Sequence, residues 1–201
     1  MSPFVVLEGG DGCGKSTQVA RLAQRFRAEG REVVVTREPG ATPAGASIRA
    51  VVLDGEPIDA RTEALLIAAD RAEHAVRVLR PALERGAVVV SDRYVPSSLA
   101  YQGVARGLGV DEIERLSAWA TGDLRPDVVV VLDVPAEVAA ARRAGPGDRM
   151  EREDGRFRDA VRQAYLDLAS RYGWVVVDGS RPADEVSEAV WAAVQGAVPA
   201  V

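Results

Sequence analysis

Residues 9–16 read Gly9-Gly10-Asp11-Gly12-Cys13-Gly14-Lys15-Ser16. They satisfy G-x-x-x-x-G-K-[ST] directly after the apolar run Phe4-Val5-Val6-Leu7 and before a helix-periodic stretch from Thr17. This order leaves the chain little choice of local structure. A strand must deliver the loop to a helix N-terminus, where glycines at positive φ let successive N–H groups ring a phosphate and the helix dipole adds to the attraction. Lys15 is a compact charge for the β- and γ-phosphates, where the wide fork of arginine would not fit. Ser16 offers a hydroxyl to Mg²⁺. The nucleotide-binding segment therefore runs from Gly9 through Thr17. Of 25 basic residues only Lys15 is lysine, so the N-K-x-D element with which GTP switches read guanine cannot exist elsewhere in the chain. Cys13 is the only thiol. It reads as a small residue fitting a tight loop, although a reachable side chain there would have its thiolate favoured by the helix N-terminus.

The rest of the sequence repeats the strand-then-helix alternation. Valine-rich runs at Phe4–Leu7, Glu32–Thr36, Ala87–Ser91, Asp127–Leu132 and Trp174–Val177 are continuous rather than alternating, as in parallel strands buried on both faces. Apolar spacings of three and four predict helices over Thr17–Glu29, Glu63–Arg85, Asp111–Ala120, Ala136–Arg143, Arg156–Tyr172 and Ala183–Val194, with Pro81 kinking or breaking the second. The fold class is α/β: a P-loop NTPase-type parallel five-stranded sheet flanked by helices, with ligands at the strand carboxyl ends. On the helix from Glu63, Ile67, Asp70, Arg71 and His74 share one face. Leu65, Ala68, Ala72, Val76 and Leu79 form the stripe expected to pack, while the opposite face can line a pocket. His74 reads as a structural surface histidine.

With 201 residues and 47% hydrophobic composition the chain can bury one core without disulfides, and residues 1–201 read as a single domain. A lone cysteine, no leader pattern and no apolar run of membrane-spanning length predict a cytoplasmic protein with no membrane partner. A net charge of −5 gives no long-range attraction for nucleic acid, so any anion must meet a local cationic site.

Such a site is written at the end of the third strand, in Asp92-Arg93-Tyr94-Val95-Pro96-Ser97-Ser98-Leu99-Ala100-Tyr101-Gln102. DRYxxSSxAYQ resembles the signature of the thymidylate kinases. It is accompanied in the same order by Thr36-Arg37-Glu38-Pro39-Gly40, Ala69-Asp70-Arg71 and Asp148-Arg149-Met150-Glu151. The resemblance implies phosphoryl transfer from MgATP to dTMP, giving dTDP, by a homodimer. Other readings are another deoxynucleotide or nucleoside kinase, or a non-catalytic P-loop switch; the acceptor constellation of Arg37, Arg71, Arg93 and Tyr101 argues against the switch.

Joining two anions calls for charge neutralisation and alignment more than for a base. Arg93 and Arg37 can chelate the acceptor phosphate, Asp92 can join Ser16 in holding Mg²⁺, and Glu38 can order Arg93 or the metal shell. The resemblance further implies Arg71 at the O4 edge of thymine, Ser98 at its N3 side with Gln102 nearby, Tyr101 against C2′ of the sugar and Asp11 at the 3′-hydroxyl. Ile67 stands where the family often stacks an aromatic ring, and Ala41 where a glycine usually follows REPG. Gly12 stands where one branch carries a P-loop arginine, so the catalytic cation must come from elsewhere. Residues 142–162 hold seven arginines against five acids, and 142–158 read as a mobile lid. Arg149 is the expected transition-state cation, with Arg142 or Arg143 on the adenine or the phosphates.

Overall fold

In a computed structural model, residues 3–142, 149–150 and 152–197 of the chain are described. Five parallel strands, β1 (Phe4–Glu8), β2 (Val33–Arg37), β3 (Val88–Asp92), β4 (Val128–Asp133) and β5 (Val175–Asp178), form one sheet in the order β2-β3-β1-β4-β5. Each strand lies within a residue of its valine run. The central strands β1, β3 and β4 are buried on both faces, as expected, but the edges are not: Val35 of β2 and Val175 and Val176 of β5 are exposed. An edge strand has only one neighbour, so the continuous apolar run overstates its burial.

Alternate residues of the central strands feed two cores. Val5, Leu7, Val88, Val90 and Val130 pack with α1 (Lys15–Ala28) and α9 (Ala183–Ala197). Phe4, Val6, Val89, Val129 and Val131 face the other side. There lie α2 (Pro43–Arg49), α3 (Ala60–His74), α4 (Arg80–Glu84), α5 (Val95–Ser98), α6 (Val110–Thr121) and α8 (Gly155–Tyr172). A short α7 (Ala136–Arg142) follows β4.

Three segments widen to π-helical turns. Ala50–Asp54 extends α2, Ala75–Leu79 joins α3 to α4, and Leu99–Ala105 extends α5. Pro81 does not break the second predicted helix: it sits in the first turn of α4, just after the π segment, where its missing N–H is tolerated. The apolar spacing marks neither α2 nor α5, although Thr42-Pro43 is a helix-start signal. The Thr42 hydroxyl accepts the Gly45 N–H at 3.0 Å and proline takes the first turn.

The expected stripe of α3 is split: Ala68 and Leu79 are buried as expected, but Leu65 and Val76 are not. Its polar face, Glu63, Asp70, Arg71 and His74 with Ile67, is buried, whereas Leu65 and Val76 are each 60% exposed. His74 is therefore no surface residue, being fully enclosed. Turned inward, this face contributes Ile67 and Arg71 to the cleft at the strand carboxyl ends.

Candidate active site

The loop after β1 is shaped by its glycines. Gly9 has φ 133°, and a Cβ there would come within 2.5 Å of the Leu132 carbonyl oxygen, so no side chain fits. Gly14, with φ 94°, caps the N-terminus of α1. Lys15 Nζ curls back to the carbonyls of Gly9 and Gly10 at 3.1 and 2.9 Å, and Ser16 Oγ donates to Asp92 Oδ2 at 3.0 Å. A hydroxyl and a carboxylate are hard oxygen donors. At the mouth of a phosphate loop they suit Mg²⁺, which keeps several waters and takes the rest of its shell from phosphates.

One cleft of about 560 Å³ brings the two halves of the site together. Asp11, Gly12, Gly14, Lys15, Ser16 and Thr17 line one end; Arg37, Glu38, Ile67, Arg71, Ser98, Tyr101 and Gln102 line the other, with Asp92, Arg93 and Arg142 also on the wall. Gly9, Gly10 and Cys13 border an adjoining smaller cleft. Cys13 is itself 3% exposed, its side chain packed among Val19, Leu132 and Val177, so it is not the reachable thiol considered from the sequence.

Arg93 is the hub. It adopts φ 73°, a conformation that costs a non-glycine residue free energy. Its guanidinium donates to Asp11, to Ser97 Oγ at 3.0 Å and to the Tyr165 hydroxyl at 3.2 Å. Beneath it Glu8 is fully buried and accepts from the Tyr94 and Ser97 N–H groups and from the Ser97 and Tyr165 hydroxyls. Burial pushes the Glu8 carboxyl up, against the pull of Arg93 and those hydrogen bonds. At Asp11 burial acts in the same sense, but Arg93 and Lys15 outweigh it and hold that carboxyl below the usual range.

Glu38 accepts from Arg71 Nε at 2.7 Å and pairs with His74 Nδ1 at 2.8 Å; His74 Nε2 meets Thr36 Oγ1 at 2.6 Å. Glu38 thus orders Arg71 rather than Arg93, a correction to the sequence reading. Asp70 Oδ1 receives the Gly40 N–H at 3.0 Å, and burial together with the charge of Glu38 raises its carboxyl. Ser98 Oγ is buried without a hydrogen-bond partner among the described residues, on the cleft wall.

The expected lid is only partly within the described residues; Arg143 and residues 144–148 and 151 lie outside them. Arg142 lines the cleft and donates to the carbonyls of Gly179 and Ser180. Arg149 does not reach the cleft. It is 9% exposed and donates to Glu63, a buried carboxylate, and to the Val52 carbonyl in the π-helical turn after α2. Sequence reasoning gave no role to Glu8, Glu63, Ser97 or Tyr165, which meet partners from remote segments. It also missed Arg49, which lines the cleft and donates to the Pro39 carbonyl. No group of three or more His, Cys, Asp or Glu side chains that could hold a metal is found among the described residues, and no helix among them is long and apolar enough to cross a membrane.

Comparison with known proteins fits this geometry. A family model described as thymidylate kinase matches residues 7–190. The Thymidylate kinase of Thermomicrobium roseum is 49% identical over 199 residues, covering 96% of this chain and 95% of that protein. Those of Deinococcus radiodurans and Halothermothrix orenii are 49% and 43% identical, covering 95% and 96% of this chain. On the family match across nearly its whole length, the chain belongs to the thymidylate kinase family.

Proposed function

We propose that this protein transfers the γ-phosphoryl group of ATP to dTMP, giving dTDP and ADP. The observation that carries the reading is the single cleft in which a phosphate loop and a second, arginine-lined pocket face each other. A nucleotide switch has no use for the second pocket.

The acceptor is a phosphate oxygen that is already ionised. It attacks the γ-phosphorus as the bond to the β–γ bridging oxygen breaks, and no proton need be removed. Catalysis therefore consists of holding two anions in line and neutralising their charge. Arg93 and Arg37, at the ends of β3 and β2, clamp the acceptor phosphate. Lys15 and the loop N–H groups take the β- and γ-phosphates of ATP. Ser16 and Asp92 would hold Mg²⁺, which supplies charge neutralisation on the phosphate oxygens. Arg142 is on the cleft wall to meet the nucleotide donor. Arg71, tied by Glu38, presents donors to a pyrimidine carbonyl; Ser98 offers its unpaired hydroxyl to the same edge; Tyr101 bars a 2′-hydroxyl; Asp11 receives the 3′-hydroxyl.

The reading includes a homodimer. Leu65, Ala69, Ala72 and Val76 recur at spacings of four, three and four on the outer face of α3 and the π segment that follows it, and Trp119 of the adjacent α6 is 84% exposed. An apolar stripe turned outward on a helix whose polar face is buried suits a second copy of the chain.

A panel of nucleoside monophosphates with MgATP, read by ADP release, tests the substrate. dTMP is expected to lead and dUMP to be the nearest of the others, since one methyl group is worth only about 1–3 kcal/mol. Purine and ribonucleoside monophosphates should trail. Equal turnover of CMP and dTMP would contradict the reading.

A further inference from the structure

Glu63 is fully buried on the inward face of α3, one turn before Ile67. Its Oε1 accepts from Gln102 Nε2 at 2.8 Å and its Oε2 from Arg149 Nη2 at 2.7 Å. Arg106 reaches the same carboxylate at 3.3 Å and passes on to Glu153 at 2.5 Å. Arg149 in turn donates from Nε to the Val52 carbonyl at 2.7 Å and from its backbone N–H to the Leu53 carbonyl at 2.8 Å. Val52, Leu53, Ile67, Gln102 and Met150 all line the cleft, whereas neither Glu63 nor Arg149 does.

We propose that Glu63 and Arg149 are a buried pair of positioning residues that sets the base-side wall of the acceptor pocket, and that Arg149 serves there rather than on the transferring phosphoryl group. The proposal rests on the dTMP kinase reading. Four segments remote in sequence converge on the pair: the turn after α2, the first turns of α3, the π segment after α5, and Arg149-Met150. Taking two charges out of water costs free energy that their attraction only partly returns, so stability is a poor reason for the pair, while fixing one arrangement of its neighbours is a good one. Gln102 shows what is fixed. A carboxylate only accepts hydrogen bonds, so the amide nitrogen is the end committed to Glu63, and the amide oxygen is the end left for the cleft. An acceptor there matches the ring N–H of a thymine-type base and mismatches the bare ring nitrogen of cytosine. Glu63 thus acts on base choice at one remove.

The two roles open to Arg149 divide kinetic constants in opposite ways. A positioning residue for the acceptor pocket raises the dTMP KM, and a transition-state cation lowers kcat. Steady-state kinetics with dTMP and dCMP would be measured for wild type, Glu63→Gln, Arg149→Met and Arg149→Lys. Loss of either partner is expected to raise the dTMP KM about tenfold or more, leave kcat within about twofold and the ATP KM unchanged, and shrink the preference for dTMP over dCMP. Arg149→Lys, which keeps the charge, should recover part of the loss. If a single variant does not fold, the double variant Glu63→Gln/Arg149→Met removes the charges together, and the same division is read on it. A kcat lowered about a hundredfold at unchanged dTMP KM would overturn the proposal, as would unaltered constants and base preference. Wild type is read first. Its failure to make dTDP defeats the kinase reading and this inference together; an active wild type with the wrong division defeats only the inference.

Discussion

Arg93 Nη2 lies 2.5 Å from Asp11 Oδ1, so the arginine that follows β3 and a residue of the phosphate loop form one ion pair. That pair ties the phosphate loop to the end of β3. Lysine at 93 would keep the charge but lose the fork that spans Asp11, Ser97 and Tyr165. Arg93→Lys is expected to lower kcat/KM for dTMP by about a hundredfold, with ATP KM little changed. Steady-state assays that vary each substrate in turn would check it; wild-type-like constants would remove Arg93 from the acceptor clamp.

Asp92 and Ser16 are paired by a hydrogen bond of 3.0 Å at the candidate Mg²⁺ position. Asp92→Asn keeps the shape and removes the charge. The concentration of Mg²⁺ needed for half-maximal activity is expected to rise about 10- to 100-fold. Chelation by EDTA should abolish turnover in both proteins and added Mg²⁺ restore it. An unshifted Mg²⁺ titration in the variant would place the ion elsewhere.

Glu8 carries the clearest pH signature. Burial raises its carboxyl, so the folded state holds a proton over a range where the unfolded chain has released it. Stability changes with pH in proportion to protons bound unfolded minus protons bound folded. That difference is negative for this group, and its contribution therefore falls as pH rises from the ordinary glutamate value through the raised one. Glu8→Gln removes the effect. Denaturant unfolding from about pH 4 to about pH 8 should show the variant gaining on wild type as pH rises. A constant difference between the two would contradict it.

The strands were legible because a run of valines bounded by charge has few other uses in a chain of this kind, and the phosphate loop because its spacing is set by the geometry of a phosphate. The face of α3 with Ile67 and Arg71 was legible as a pocket wall, but the outward turn of Leu65 and Val76 was not. The buried side of α3 is polar because Arg71 and His74 meet Glu38, and Glu63 meets Arg149, so the usual rule of apolar inward fails where the helix backs a site. The residues lining the cleft were legible from motif order, but their supports were not. Glu8 finds Tyr165 across 157 positions and Glu63 finds Arg149 across 86, and no local pattern marks such pairs. The place of Arg149, on Glu63 rather than on the cleft wall, was not legible either, because a cluster of arginines says that charge is needed nearby and not which member supplies it.

The outer stripe of α3 predicts an assembly. Light scattering should return the mass of two chains, and Leu65→Arg, which sets a charge on a side chain already 60% exposed, should give a folded single chain. A wild-type protein of one chain mass at micromolar concentration would refute the dimer.

The most direct test of the whole account follows the phosphoryl group itself. Wild-type protein is incubated with Mg²⁺, dTMP and ATP labelled in the γ-phosphate, and the label is separated among dTDP, ATP and inorganic phosphate. Transfer to dTMP puts label in dTDP in one-to-one proportion to ADP formed, and almost none of it when Lys15 is replaced by Met. Label released as inorganic phosphate at a rate indifferent to dTMP would contradict it, because the cleft would then be cleaving ATP without an acceptor.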